Sequence, residues 1–179
     1  MKLGVHIQSI IVLTVICLVW GGLLAAVYDF TKEGIERAEN AEINAILSEI
    51  FPGENIQFVE NVENDYYTCL ENGVLVGYAT IAEGKGYGGK MKVIVGINLD
   101  NSVAGVRVLS HSETVGVGSR ITEDEFLSQF TGKTLENLQL KQNGGEIDAI
   151  TGATISSTAV TSAVHDGAQT LVERAGGSG

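Results

Sequence analysis

Apolar side chains run without a charged interruption from Ile10 to Tyr28, after which the chain turns mixed and acidic. A run of that length matches the roughly 20 residues a helix needs to cross the hydrocarbon core of a bilayer. Trp20 falls mid-span, while Tyr28 on one side and Lys2 and His6 on the other fall near the two interfaces. A cleaved signal peptide is the rival reading, with Ala25-Ala26 as a small-residue cleavage site. The run exceeds the usual apolar core of about 7–15 residues in such peptides, so a retained single-span anchor is expected. Lys2 on one side and Lys32 and Arg37 on the other leave the basic tally close to a draw, so charge alone does not orient the span.

Beyond the anchor the period changes. Ile35, Ala38, Ile43, Ile46 and Leu47 form an apolar stripe that predicts a helix over Thr31 to Phe51, a continuation of the membrane helix stopped by Pro52-Gly53. A β-rich region follows. Tyr66 to Leu70 and Val74 to Ala82 flank the turn Glu71-Asn72-Gly73, and Lys90 to Leu99 and Val103 to Ser110 flank Asp100-Asn101. Alternation at Val93, Val95, Ile97 and Leu99 predicts a buried face. Glu123 to Phe130 reads as a short helix with Phe126, Leu127 and Phe130 inward. Leu135, Leu138 and Leu140 read as a strand ending at Lys141, and Asn143-Gly144-Gly145 as a turn. A last helix carries Ile155, Ala159, Val160, Ala163, Val164, Ala168 and Leu171 on one face. The expected fold is α+β: a transmembrane anchor at 1–29, one domain at 30–175 with an antiparallel sheet and flanking helices, and an appended linker at 176–179.

The stretch with the most chemistry is Asp148-Ala-Ile-Thr151-Gly152-Ala153-Thr154, a loop that feeds straight into that last helix. Gly152 and Ala153 leave the Thr154 hydroxyl sterically open, and Gly152 admits backbone angles other residues avoid. A helix N-terminus offers unpaired N–H groups and partial positive charge, which favour a phosphate. The simpler alternative is that Thr151 or Thr154 only caps the helix.

Other candidates weaken on inspection. Gly84-Lys-Gly-Tyr-Gly-Gly-Lys90 lacks the Lys-Ser/Thr ending of a P-loop and reads first as a tight turn. His111 beside Glu113 and Thr114 invites an acid–base reading, but no nucleophile motif lies nearby, and a polar turn closing a strand accounts for it. Cys17 lies in the apolar run and Cys69 reads as a packed, inert thiol, neither with a metal-ligand neighbour at useful spacing. A net charge of −11 excludes nucleic acid as a partner, since phosphate contacts need clustered Lys and Arg.

Asp148-x-x-Thr151-Gly152-Ala153-Thr154 resembles the flavinylation motif of the FMN-binding domain family, in which a flavin transferase esterifies the phosphate of FMN to the last Thr or Ser. Tyr87-Gly-Gly, the following strand pair and His111-Ser-Glu-Thr114 resemble the G subunit of the Rnf ion-translocating electron transport complex over the same block. That resemblance implies FMN held through Thr154, with Asp148, Thr151, Gly152 and Ala153 as the rest of the motif. Relatives usually read Glu-Thr-Pro-Gly-Leu-Gly, with the flavin ring packed near the Thr and Leu. Those map onto Thr114 and Val117, while Val115 replaces the Pro and takes away its rigidity. Lys141 takes the place of a family lysine near the flavin, or is an ordinary surface lysine.

The resemblance further implies a domain outside the cytoplasm and partner subunits carrying flavins and iron–sulfur clusters. The complex would pass electrons between reduced ferredoxin and NAD, coupled to sodium or proton translocation. Outside the cytoplasm a dissociating cofactor is diluted away, and a covalent phosphoester removes that dependence on free concentration. Two rival functions remain at this point: a membrane-anchored binding or scaffolding module without cofactor, and the C subunit of a sodium-translocating NADH:quinone reductase.

Overall fold

A computed structural model describes residues 3–175, with side chains from Ile10 onward except those of Glu33 and Glu36. Lys2, the His6 side chain and the linker at 176–179, assigned above from sequence, lie outside the described residues. The first helix, α1 (Leu3–Ile50), continues past Tyr28 without a break. The chain divides into two units, Met1–Glu42 and Ile43–Gly179.

In the first unit, the side chains of the apolar run stand exposed, among them Leu13, Leu18, Trp20 and Leu24. This is the one segment among the described residues that is long and apolar enough to cross a membrane. An exposed apolar surface of that extent is stable against lipid and costly against water.

The second unit is built on a five-stranded antiparallel meander in the order β1 (Ile56–Asn61), β2 (Tyr66–Glu71), β3 (Val74–Lys85), β4 (Lys90–Asn98), β5 (Val103–His111). The two expected hairpins are present. Asn72 and Gly73 both have positive φ, 51° and 80°, as the two central residues of a tight primed turn require. Asn101, at φ 64°, turns the second hairpin. Beside it the Ser102 hydroxyl and N–H donate to the Asp100 carboxyl and hold it below its ordinary value. β1 has no counterpart in the expected elements.

Both faces of the sheet are covered. On one, Ile43, Leu47, Ile50 and Phe51 pack with Cys69, Ala79 and Ile94. Gly77 and Gly96 make room for them: a Cβ on Gly96 would stand 2.6 Å from Ile50 Cγ2, and one on Gly77 would meet the Phe51 ring. The apolar stripe of α1 is buried only from Ile43 onward, while Ile35 and Ala38 are exposed. Cys69 is fully buried and has its thiol pushed up to about 12 by desolvation, so it stays protonated and inert. Arg107 on β5 ties the end of α1 to the next helix, with Nε 3.0 Å from Glu49 and Nη2 3.6 Å from Asp124.

On the other face Met91, Val93, Val95 and Ile97 meet the last helix, α3 (Thr154–Arg174), through Val160, Ala163, Val164 and Leu171. The helix lies close because its contact ridge is small: a Cβ on Gly167 would stand 3.1 Å from Ala82 Cβ and 3.3 Å from Val95 Cγ2. Ile155, expected on this face, is instead 57% exposed. The short helix α2 (Asp124–Leu127) and the 3-10 turn after it bury Phe126, Leu127 and Phe130 as expected. The expected strand over Leu135 to Leu140 does not form. Leu135–Asn137 is a 3-10 turn, and only Leu140 makes an isolated bridge, to Ile147. Leu138 and Leu140 are buried all the same. Their spacing from Leu135 (three, then two) fits neither period cleanly, so burial without a ladder satisfies it.

Candidate functional site

Three chain segments converge at the N-terminal end of α3. The first is the β3–β4 connection, a tight turn in which Gly86 N–H donates to the Gly89 carbonyl at 2.9 Å. The second is the loop after β5, from Ser112 to Gly118. The third is the loop running into α3. Together they enclose a cleft of about 430 Å³, with Tyr87, Thr114, Val117, Thr154 and Ile155 among its lining residues.

The α3 start decides what the cleft can hold. Gly152 has φ +83°, a left-handed angle that costs glycine little and other residues much. Ala153 is the N-cap and makes no side-chain cap bond, so neither Thr151 nor Thr154 acts as the cap. The loop is tied instead by Ser157, whose hydroxyl accepts from Ile150 N–H and donates to the Ala153 carbonyl, both at 3.0 Å. The first-turn amides of α3 have no intrahelical acceptor and carry the positive end of the helix dipole.

The hydroxyls near this helix start are therefore unequal. Ser156 and Ser157 are buried at 2% and 0% exposure, and both hydroxyls are engaged. Thr158 Oγ1 donates to the Thr154 carbonyl at 2.8 Å. Thr154 is exposed in the cleft, and its hydroxyl has no bonding partner among the described residues. Thr151 is exposed too, but it lines a separate groove with Arg120, Gln129 and Asp148.

Of the residues singled out from sequence, the structure brings Thr114, Val117, Gly152, Ala153 and Thr154 to one cleft. Val117 Cγ1 comes within 3.3 Å of the place a Cβ on Gly152 would occupy. Lys141 and Asp148 are not among the lining residues. Lys141 Nζ lies 2.6 Å from Asp148 Oδ2, both exposed, and Asp148 N–H donates to Gln129 Oε1 at 2.7 Å. An exposed pair of this kind contributes about 0–1 kcal/mol. It trims the loop that leads to Thr154 without reaching the cleft.

Sequence reasoning set Glu113 aside as part of a polar turn, yet it is 7% exposed and lines the cleft between the other segments. Its Oε1 accepts from Gly88 N–H at 3.2 Å and its Oε2 from Ser156 Oγ at 2.7 Å. Its local neighbours gave no sign of this, because Ser156 stands 43 positions away. The glycines around it were the usable signal: a Cβ on Gly86 would run into Glu113 Oε1, and one on Gly118 would stand 3.0 Å from Oε2. Tyr87, 76% exposed, and Ile155, which helical period placed inward, complete an apolar rim.

Removing the Ser157 hydroxyl tests whether this loop depends on the helix. Ser157→Ala leaves the Ile150 amide without its partner, at a cost of about 1–3 kcal/mol. Urea unfolding should show the midpoint falling with an unchanged slope; a midpoint equal to that of the unsubstituted chain would contradict the assignment.

Residues 86–169 match the family of FMN-binding domains. The chain is 31% identical over 169 residues to the G subunit of the proton-translocating ferredoxin:NAD(+) oxidoreductase complex of Clostridium ljungdahlii, covering 92% of this chain and 91% of that one. It is 34% identical to the G subunit of the ion-translocating oxidoreductase complex of Methanosarcina acetivorans, covering 88% and 90%. The crystal structure of NqrC from Shewanella oneidensis superposes with a TM-score of 0.53 at 23% identity over 72% of each chain, a likeness of fold alone.

Proposed function

We infer the function from this premise: the chain belongs to the family of G subunits of ion-translocating oxidoreductase complexes. It is an FMN-dependent, electron-carrying subunit of such a complex, associated with a membrane through its N-terminal helix. In our reading, FMN is esterified through its phosphate to Thr154 Oγ1. The observation that carries this reading is the inequality of the hydroxyls: Thr154 alone in its motif combines exposure to the cleft with a free hydroxyl beside unpaired helix amides.

The residues present fit that group. The first-turn amides of α3 suit a phosphate ester at Thr154. The apolar rim of Tyr87, Val117 and Ile155, with Thr114, suits a flat aromatic ring. FMN supplies the electron transfer, and the protein's part is to hold the group, orient it and set its electrostatic surroundings. The remaining partners follow the resemblance: subunits carrying other flavins and iron–sulfur clusters, and a flavin transferase during maturation. The domain from about Thr31 onward lies outside the cytoplasm in this reading.

A denaturing gel viewed under ultraviolet light tests the cofactor against a bare scaffolding module. A flavin band that survives boiling in detergent is expected, and a dark band would overturn the covalent reading. A cysteine introduced at Asn101, in the β4–β5 turn, reports the side of the membrane. Labelling by an impermeant reagent in intact cells is expected; labelling only after lysis would reverse the orientation.

A further inference from the structure

We propose that Glu113 is a positioning residue of the cleft, clamping the first turn of α3 to the β3–β4 loop and holding a negative charge beside the bound ring. The inference rests on the reading that FMN occupies the cleft. Two observations and a physical argument carry it.

The carboxylate is buried, and its hydrogen-bond partners, Gly88 N–H and Ser156 Oγ, are both neutral donors. One lies in the loop that carries Tyr87, and the other is two residues beyond Thr154. The same side chain thus bridges the two segments that must keep a fixed separation if a ring is to sit between them. Its own N–H donates to His111 Nδ1 at 3.2 Å, which pins the main chain at that point.

The surrounding backbone is shaped to the carboxylate. Gly86 and Gly118 both leave space that any larger residue would take from its two oxygens. A Cβ on Gly88 would likewise run into the Ser112 carbonyl, so the loop lies directly against the segment that holds Glu113.

The third is a physical argument. Burying a charge among neutral donors is expensive, and a neutral amide of the same shape would bridge the two segments at lower cost. What a carboxylate adds over such an amide is a fixed charge at the wall of the cleft. Adding electrons to a flavin builds negative charge on it, and a fixed carboxylate in a poorly screened cleft opposes that. Glu113 accordingly holds the midpoint potential of the bound flavin down.

The test uses the full chain in detergent with flavin attached, and the Glu113→Gln variant, which keeps the size of the side chain and removes its charge. A redox titration followed by flavin absorbance should show the midpoint shifted upward relative to the unsubstituted chain. A midpoint that stays put, with flavin fully attached, overturns the electrostatic part. The clamp is read separately in the cofactor-free chain. Ser156→Ala removes one donor and should speed exchange of the Ser157 amide, the first of α3 to be paired (to the Ala153 carbonyl, 2.9 Å), on the order of tenfold, the equivalent of one lost charge-assisted bond. Unchanged exchange there overturns the clamp. Exchange needs no flavin, so it remains decisive if Glu113→Gln fails to fold. An unsubstituted chain that carries no flavin sinks the cofactor reading and the electrostatic part together, while the exchange result still decides the clamp.

Discussion

Thr154→Ala is expected to abolish the covalent flavin completely while leaving the domain folded. The substitution removes the only oxygen in the motif that the structure leaves both exposed to the cleft and without a hydrogen-bond partner among the described residues. It removes little else. Thr154 is the first residue of α3 and caps nothing, so the change in stability should stay within about 0.5 kcal/mol, as for other surface positions. Thr154→Ser restores a hydroxyl on the same backbone and should recover part of the modification. Absorbance of the denatured protein near the flavin band, scaled to protein content, measures all three forms. Loss of flavin together with loss of the cooperative thermal transition would show that Thr154 was structural, and retention of flavin would move the attachment to another residue.

The second large effect concerns stability alone. Phe130 is fully buried, packs edge-on against Phe126 at 5.5 Å between ring centroids, and lies outside the cleft. Phe130→Ala should cost about 3–5 kcal/mol through lost burial and the cavity left behind. Against a typical total of about 5–15 kcal/mol that is a severe loss, visible as a large fall in the urea midpoint. Flavin attached before purification should remain attached, because no residue holding the cleft changes. A stability within about 1 kcal/mol of the unsubstituted chain would mean that the core closes around the gap or that Phe130 is not in it.

These two substitutions separate what the sequence shows well from what it shows poorly. The hairpins were legible because their turns carry residues that tolerate positive φ, Asn72-Gly73 and Asn101, between runs of alternating polarity. The long helix was legible by length and period. β1 was not, because it is an edge strand with only partial burial, and its residues make no sustained apolar face. The false strand at Leu135 to Leu140 shares a cause with that miss: in short segments, burial and pairing come apart, and apolar spacing reports only burial. Ile155 was placed inward by helical period, yet it stands where the face of α3 turns from sheet to cleft.

The site divides in the same way. Local features identified the Thr151-Gly-Ala-Thr154 loop, since a glycine with φ +83° and a helix start are both short-range properties. Thr114 and Val117 came from resemblance, and the fold brings them to the same cleft. Lys141 came the same way and is found paired with Asp148 outside it. Glu113 was set aside as part of a turn because the meaning of a buried carboxylate lies in its partners, Gly88 and Ser156, which only the folded chain brings near.

Peptide mass spectrometry across Asp148 to His165 tests the attachment most directly. Digestion of the membrane-purified chain should yield this segment carrying the added mass of FMN, less the water lost in esterification, with fragment ions placing it on Thr154. The same mass on Thr151, Ser156, Ser157 or Thr158, or an unmodified segment from a flavin-containing preparation, would contradict it.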